Sequence, residues 1–571
     1  MSEHRREGHF DDSKYDFTQA MPAIEGDSLT DARKEHRSRR MRTATKATLA
    51  ALSAIVFVGA SVYGATLATA PSDVQAQSGV HVETVARSEL QSYCPERMQL
   101  ADTAAYGDSQ FQVSEGNISS QAVIAASGDV QLAAASSLDG ITATPLSAGT
   151  GAGALLVNSQ AVDSASLLGD AFLTQATDGT GLFGTSASWA TEGDLRGVAA
   201  TQCVATATKQ RIITPSTGSG WTEQLVLANP GSIATTVTLT AWGTSRAGSL
   251  SLATAATVTV PAQGETTVSL GAAANGENAL VVDIDSQAIP IAAVVRSVSA
   301  DGLTPRGSDY AVATANASTQ QLIPDVASLG GAQATLFSES DTTATLTWLT
   351  KDGARDATTV SLTGQQVKVA DLGTVPDGAY ALSITAGEAI SAQVVGTKSG
   401  DGQSDFAISD ALETSHVMGL AIPSDTRATL VLSNTSSSDQ VASIRCYDAS
   451  GAPLATHQVT VPANGATTVG VSTLAGGAGE SSGDGTSASG DGTAADGTAQ
   501  STTPTVGAVI VSDSTDASQT STLPSTLGVA ATLTQPDVDA ASLQGMSVIA
   551  GTSLEAPSYD VESTRDQRLV S

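Results

Sequence analysis

The sequence predicts an all-β ectodomain of tandem immunoglobulin-like or fibronectin-like β-sandwich modules, preceded by one transmembrane helix and a disordered cytoplasmic tail. Three observations carry that expectation. Beyond Gly79 the chain consists of short runs of Val, Thr, Ala, Ser and Leu broken by Gly, Asp, Asn and Pro, the signature of many short strands. A segment of that region recurs along the chain. An uncharged stretch from Ala47 to Ala70 directly follows a cluster of basic residues.

Residues 1–46 hold ten basic and nine acidic side chains with few apolar ones, so disorder is expected there. The next 24 residues, 47–70, would span about 36 Å as a helix, against a hydrocarbon core of about 30 Å. The basic cluster before them places the N-terminus in the cytoplasm and everything after it outside, at the plasma membrane. Cleavage after Val74-Gln75-Ala76 is the competing reading of the same stretch.

Residues 71–205 read as an N-terminal β domain bracketed by Cys94 and Cys203. Outside the cytoplasm that pair is a disulfide candidate. Cys446, inside the strand pattern Ser443 to Tyr447, reads as buried and inert.

Three modules follow, over residues 206–325, 326–424 and 425–535. Val258-Thr259-Val260-Pro261-Ala262-Gln263-Gly264 returns as Val459-Thr460-Val461-Pro462-Ala463-Asn464-Gly465, and Leu225 to Asn229 returns as Leu430 to Asn434. A weaker middle copy maps Ala279, Ile284, Ala292, Val294 and Val295 onto Ala379, Ile384, Ala392, Val394 and Val395. Alternating Val and Thr make a strand with one buried face, and Pro-Ala-x-Gly makes the turn, with Gly expected to supply a positive φ. A β-propeller-like arrangement is the alternative, because about 100 residues also hold two four-stranded blades. The third module carries a Gly, Ser and Asp insertion at 476–503, read as a flexible loop, and residues 536–571 read as a polar tail.

The formal charge of −31 repels phosphate polymers, so no nucleic-acid partner is expected. No catalytic constellation emerges. The Gly-x-Ser-x-Gly match at 479–483 lies in the insertion rather than between a strand and a helix. Only His81, His416 and His457 follow the apolar stretch, without metal-ligand spacing, so neither metal nor cofactor is expected. Asp283 and Asp285, two apart on a strand, face the same way. They read as a solvated sheet face, with a cation site or a glycosidase-like pair as the sharper alternative.

Tyr93-Cys94-Pro95, Gly197 to Cys203, the Asn229-Pro230-Gly231 turn and Arg296 followed by Gly302-Leu303-Thr304-Pro305-Arg306-Gly307 resemble an actinobacterial family of membrane-anchored extracytoplasmic β-repeat proteins without assigned function. The resemblance implies a cell-envelope setting and supplies no catalytic residue. The expected function is therefore a non-catalytic binding or scaffolding ectodomain for an envelope glycan or another membrane protein. An envelope hydrolase with carboxylates converging from different modules, and a surface receptor, are the alternatives.

Overall fold

The computed structural model describes residues 80–86, 88–101, 113–287, 289–475, 505–513, 525–556 and 558–564. Residues 1–79 and the insertion 476–503 lie outside them. Of two compact units, Val82–Val561 holds all the sandwiches, and the other, Met1–His81 with Glu562–Ser571, lies mostly outside the described residues.

The first module shows how sequence becomes sheet. Thr235–Gly243 alternates buried and exposed positions along its first half, as does Thr257–Val260, because successive strand residues point to opposite faces. One sheet orders Lys209–Thr214, Leu280–Ser286, Thr235–Gly243 and Thr257–Val260; the other orders Gly264–Ser269, Trp221–Asn229, Ala292–Asp301 and Thr304–Ala311. Leu225, Leu227, Val237, Leu239, Val282 and Val295 fill the space between them. All pairings are antiparallel.

The third module repeats this plan with one added edge strand. Thr552–Ser553, Val417–Ala421, Val506–Ser512, Gln440–Asp448 and Pro453–Val461 form one sheet, and Gly465–Gly470, Arg427–Asn434, Leu527–Thr534 and Ser547–Ala550 the other. The repeated Asn explains why that motif recurs. Asn229 Nδ2 donates to the carbonyls of Ile233, Val260 and Pro261 while its Oδ1 accepts from Gly231 N. Asn434 does the same with Ser438, Val461, Pro462 and Ser436 N. In the following turn the positive φ falls on Gln263 and Asn464 rather than on the glycine. Gly264 and Gly465 are needed for close approach instead, since a Cβ there would lie 2.9 and 2.7 Å from the Cγ of Pro261 and Pro462.

In the second module the two sheets are joined. Ala379–Gly400 is one strand of 22 residues serving both halves of a seven-stranded sheet. Its counterpart in the first module is broken between Ser286 and Ala292, where Pro290 cannot donate to a ladder; the second module has Ile390 at that offset, and the ladder runs on.

The N-terminal domain is a fourth copy, which the sequence did not reveal. Glu89–Cys94, Leu167–Leu173, Val130–Ser137 and Ala143–Pro145 match one sheet, and Leu156–Gln160, Ser119–Ser127, Gly181–Ala190 and Gly197–Gln202 the other. Cys94 and Cys203 are joined as a disulfide across its core. Cys446 is free and buried, and burial pushes its thiol up to about 11.

Three expectations are corrected. The fold class loses its spanning helix: residues 47–70 lie outside the described residues, and among those described no helix is long and apolar enough to cross a membrane. Among the described residues the two α-helices, Leu270–Ala273 and Pro536–Ala540, have four and five residues. The fold is all-β with several sheets. Module boundaries shift, because the strands Ser318–Ile323 and Val417–Ala421 pair inside the second and third modules. Finally, residues 536–556 are no polar tail; Met546, Val548, Ile549 and Leu554 are buried and complete the third module.

Candidate functional site

The sandwiches close into a ring. Tyr93, Met98 and Ala199 of the N-terminal domain pack on Ala292, Val294 and Tyr310 of the first module. Trp242 and Val281 of the first meet Phe337 and Val367 of the second. Leu322 and Leu349 of the second meet Ala466 of the third, and Val417, Tyr447 and Ile510 of the third return to Val123 and Phe183 of the N-terminal domain. One strand from each faces the centre: Gly197–Gln202, Thr304–Ala311, Gln403–Asp410 and Ser547–Ala550.

These inner strands are tied by carboxyl groups. Asp309, fully buried, accepts from Ala200 N at 3.4 Å and Ile408 N at 2.8 Å and shares a 2.7 Å hydrogen bond with Ser547 Oγ, so one side chain of the first module bonds to the other three domains. Asp405, equally buried, accepts from Val198 N and Met546 N. Burial raises both carboxyls well above the usual range. Gly307 faces Asp405 at φ +110, where a Cβ would lie 2.9 Å from the Asp405 Cα.

At one end of this hub lies a cavity of about 740 Å³ lined by all four domains: residues 202–205, 207, 209–211, 283–285, 312–317, 410–413 and 550–552. Its charged groups are Lys209, Arg211, Asp283, Asp285, Asp410 and Glu413. The antiparallel register sets Lys209 opposite Asp285 and Arg211 opposite Asp283. Asp283 is held by Arg211 through Nε at 2.6 Å and Nη2 at 2.8 Å. Arg211 also pairs with Glu339 at 3.2 Å and lies 5.0 Å from the Phe337 ring centre and 5.6 Å from that of Trp242. Asp285 is exposed. The two carboxylates singled out from sequence thus share a cavity but not a chemistry, because a bidentate guanidinium occupies one of them.

Asp410 was not legible from sequence. It is half-buried, accepts from Gln393 Nε2 at 2.8 Å and Val312 N at 3.1 Å, and burial lifts its carboxyl to about 7. Glu413 accepts from Asn316 N and Nδ2. The cavity wall is otherwise mostly Ala, Gly and Thr, without an aromatic side chain among its lining residues.

The histidines lie apart from this cavity. His416 Nδ1 is 2.6 Å from Asp513 Oδ2, and His457 Nε2 is 3.0 Å from the Leu474 carbonyl. The side chain of His81 and the Gly-x-Ser-x-Gly match lie outside the described residues. Among the described residues no group of three or more His, Cys, Asp or Glu is placed to hold a metal ion.

No curated protein matches the chain. Over residues 157–472, more than half its length and from the second half of the N-terminal sandwich into the third module, the chain matches DUF5719, a family of unknown function, and belongs to that family.

Proposed function

We propose that this protein is an extracytoplasmic, non-catalytic binding or scaffolding protein, and that the cavity at the hub is where it takes its ligand. The supporting observation is that all four sandwiches contribute to that cavity. A concave site at a domain junction is where ligands are usually held. An envelope glycan or another membrane protein is the partner class. The Cys94–Cys203 disulfide supports an oxidising compartment, and the net charge of −31 disfavours phosphate-rich polymers. Several carboxylates in the cavity already serve structural donors: Asp283 holds Arg211, and Asp410 and Glu413 receive hydrogen bonds from the surrounding chain.

The test is photo-crosslinking from residues 205 and 317 in native envelopes, before and after digestion of the glycans. Adducts lost on digestion identify a glycan ligand. A stoichiometric protein adduct that survives digestion identifies a scaffold. Crosslinks no different from those of a probe on the outer Thr257–Val260 strand would refute the cavity as the site.

A hydrolase is the second reading, favoured by the Asp410 carboxyl raised to about 7, a value suited to a general acid near neutral pH. Turnover of an envelope polymer by the wild type, abolished in Asp410→Asn, would establish it.

A further inference from the structure

Among the described residues the second module carries the longest of the ring's outer sheet edges. Gly353–Leu362, ten residues, closes one side of the seven-stranded sheet and is paired on its inner side by Thr342–Thr350. The corresponding edges of the N-terminal domain and the first module, Ala143–Pro145 and Thr257–Val260, have three and four residues. Pro453–Val461 in the third has nine, with a proline at its start and the titratable His457 at its centre. Natural edges are blunted by short length, proline, charge or bulges, because their unpaired N–H and C=O groups recruit further strands. Gly353–Leu362 is guarded over its first half only. There Arg355 and Asp356 are exposed, and a bulge puts Asp356 at φ +38. Over residues 357–362 the register with residues 342–347 is unbroken, and those six residues include no charge, proline or glycine.

The side chains of this stretch decide what it can accept. Val360 and Leu362 are 8% and 4% exposed and point into the core, while Thr359 and Ser361 are exposed. Opposed residues of antiparallel strands share a face. A strand pairing with its own copy therefore meets it about an axis through a residue, not between two. With the axis at Val360, Val360 faces its copy, Thr359 faces Ser361 and Thr358 faces Leu362. The inward rows of the two copies then run into one another, the outward row pairs hydroxyl with hydroxyl, and Arg355 and Asp356 fall outside the paired stretch. Cross-strand pairs of β-branched and hydroxyl residues stabilise a sheet. Charge selects the same contact. Two chains of net charge −31 repel, so they approach most readily where the surface is neutral. A contact using one strand on both partners also closes after two copies.

We infer that residues 357–362 form a dimerisation strand, pairing antiparallel with the same strand of a second copy of this chain about a two-fold axis at Val360. The two second modules then share one continuous sheet. This interface is independent of the hub cavity's being a ligand site.

Sedimentation of the full chain over a range of concentrations is expected to show a monomer–dimer equilibrium. It should tighten as salt is added, because salt screens the repulsion between two acidic chains. Thr359→Lys, at an exposed position, sets two lysines diagonally across the axis and is expected to weaken the dimer about fivefold or more. Gln458→Lys, at an exposed position of the third module's edge, is expected to leave it unchanged. Mixing Thr359→Cys protein with Ser361→Cys protein under mild oxidation is expected to give a disulfide-linked dimer that neither variant forms alone. A monomer at every concentration would overturn the inference, as would cross-linking as efficient in Thr359→Cys alone as in the mixture. A dimer that Thr359→Lys spares would also overturn it, and one that Gln458→Lys disrupts instead would move the contact to the third module's edge.

Discussion

The Asp309 carboxyl of the first module shares a 2.7 Å hydrogen bond with Ser547 Oγ of the third, 238 residues later in the chain. Ser547 Oγ also lies 3.0 Å from the Ala200 carbonyl and accepts from Ala200 N. One hydroxyl proton cannot serve both the carboxylate and the carbonyl. A protonated Asp309 resolves this by donating to Ser547, which then donates to Ala200, and burial favours that neutral form. Asp309→Asn should therefore be tolerated, whereas Asp309→Ala should cost about 3 kcal/mol by leaving buried donors unpaired. Urea unfolding of the two variants distinguishes them; a loss in Asp309→Asn as large as in Asp309→Ala would overturn the neutral Asp309.

Gly307 tests the same hub by shape. At φ +110 and with the Asp405 backbone 2.9 Å from where a Cβ would sit, Gly307→Ala should cost about 3 kcal/mol through strain and displacement of the inner strands. Gly302, also at positive φ but with nothing within 4 Å of its Cβ position, should cost about 1 kcal/mol. Melting temperatures in that order check the prediction.

The matched caps should behave alike. Asn229→Ala removes three donated bonds and one accepted bond, and Asn434→Ala three donated and two accepted, the second from Thr526 Oγ1, a loss of about 2 to 3 kcal/mol apiece. Ser338, at the equivalent place in the second module, donates once to Ala389 and accepts from Ser340 N; Ser338→Ala should cost about 1 kcal/mol.

Stability should fall as pH rises through the near-neutral range. Burial lifts Asp325 to about 6, Asp410 to about 7 and Glu223 to about 8. Each therefore favours the folded state fully only below its unfolded pKa of about 4 and loses that contribution as pH rises through the folded value. Each group titrating alone contributes a slope of about 1.4 kcal/mol per pH unit. Glu223→Gln should flatten the decline between pH 5 and 8 in urea midpoints; an unchanged slope would show that Glu223 is ionised in the fold.

Reduction should loosen the N-terminal sandwich first. The Cys94–Cys203 bridge spans a separation of 109 residues, and opening such a loop costs about 4 to 5 kcal/mol in the chain-entropy model. Cys94→Ala with Cys203→Ala should lower the denaturation midpoint. Hydrogen exchange should rise in Gly181–Ala190 before it does in the modules.

The β character was legible in the chain because strand alternation is local and survives in every Val-Thr run. The Asn229 and Asn434 copies were legible because identical caps demand identical residues. The N-terminal copy was not, since its cap position is Ser127, whose hydroxyl bonds the Gly179 carbonyl, and one hydroxyl imposes far less on neighbouring sequence than an amide making four bonds.

The candidate site divides in the same way. Asp283 and Asp285 stand two apart and so share a face by strand geometry alone, which any reader of the chain can count. That Arg211 neutralises Asp283, and that Asp410 joins them in one cavity, depends on strand register and on the closing of a ring whose contacts join residues 100 to 350 apart. Local periodicity specifies strands and turns from nearest neighbours in the chain. Which carboxyl is buried, paired or left open is decided by desolvation and by donors from other domains, and those exist only after the four sandwiches have met.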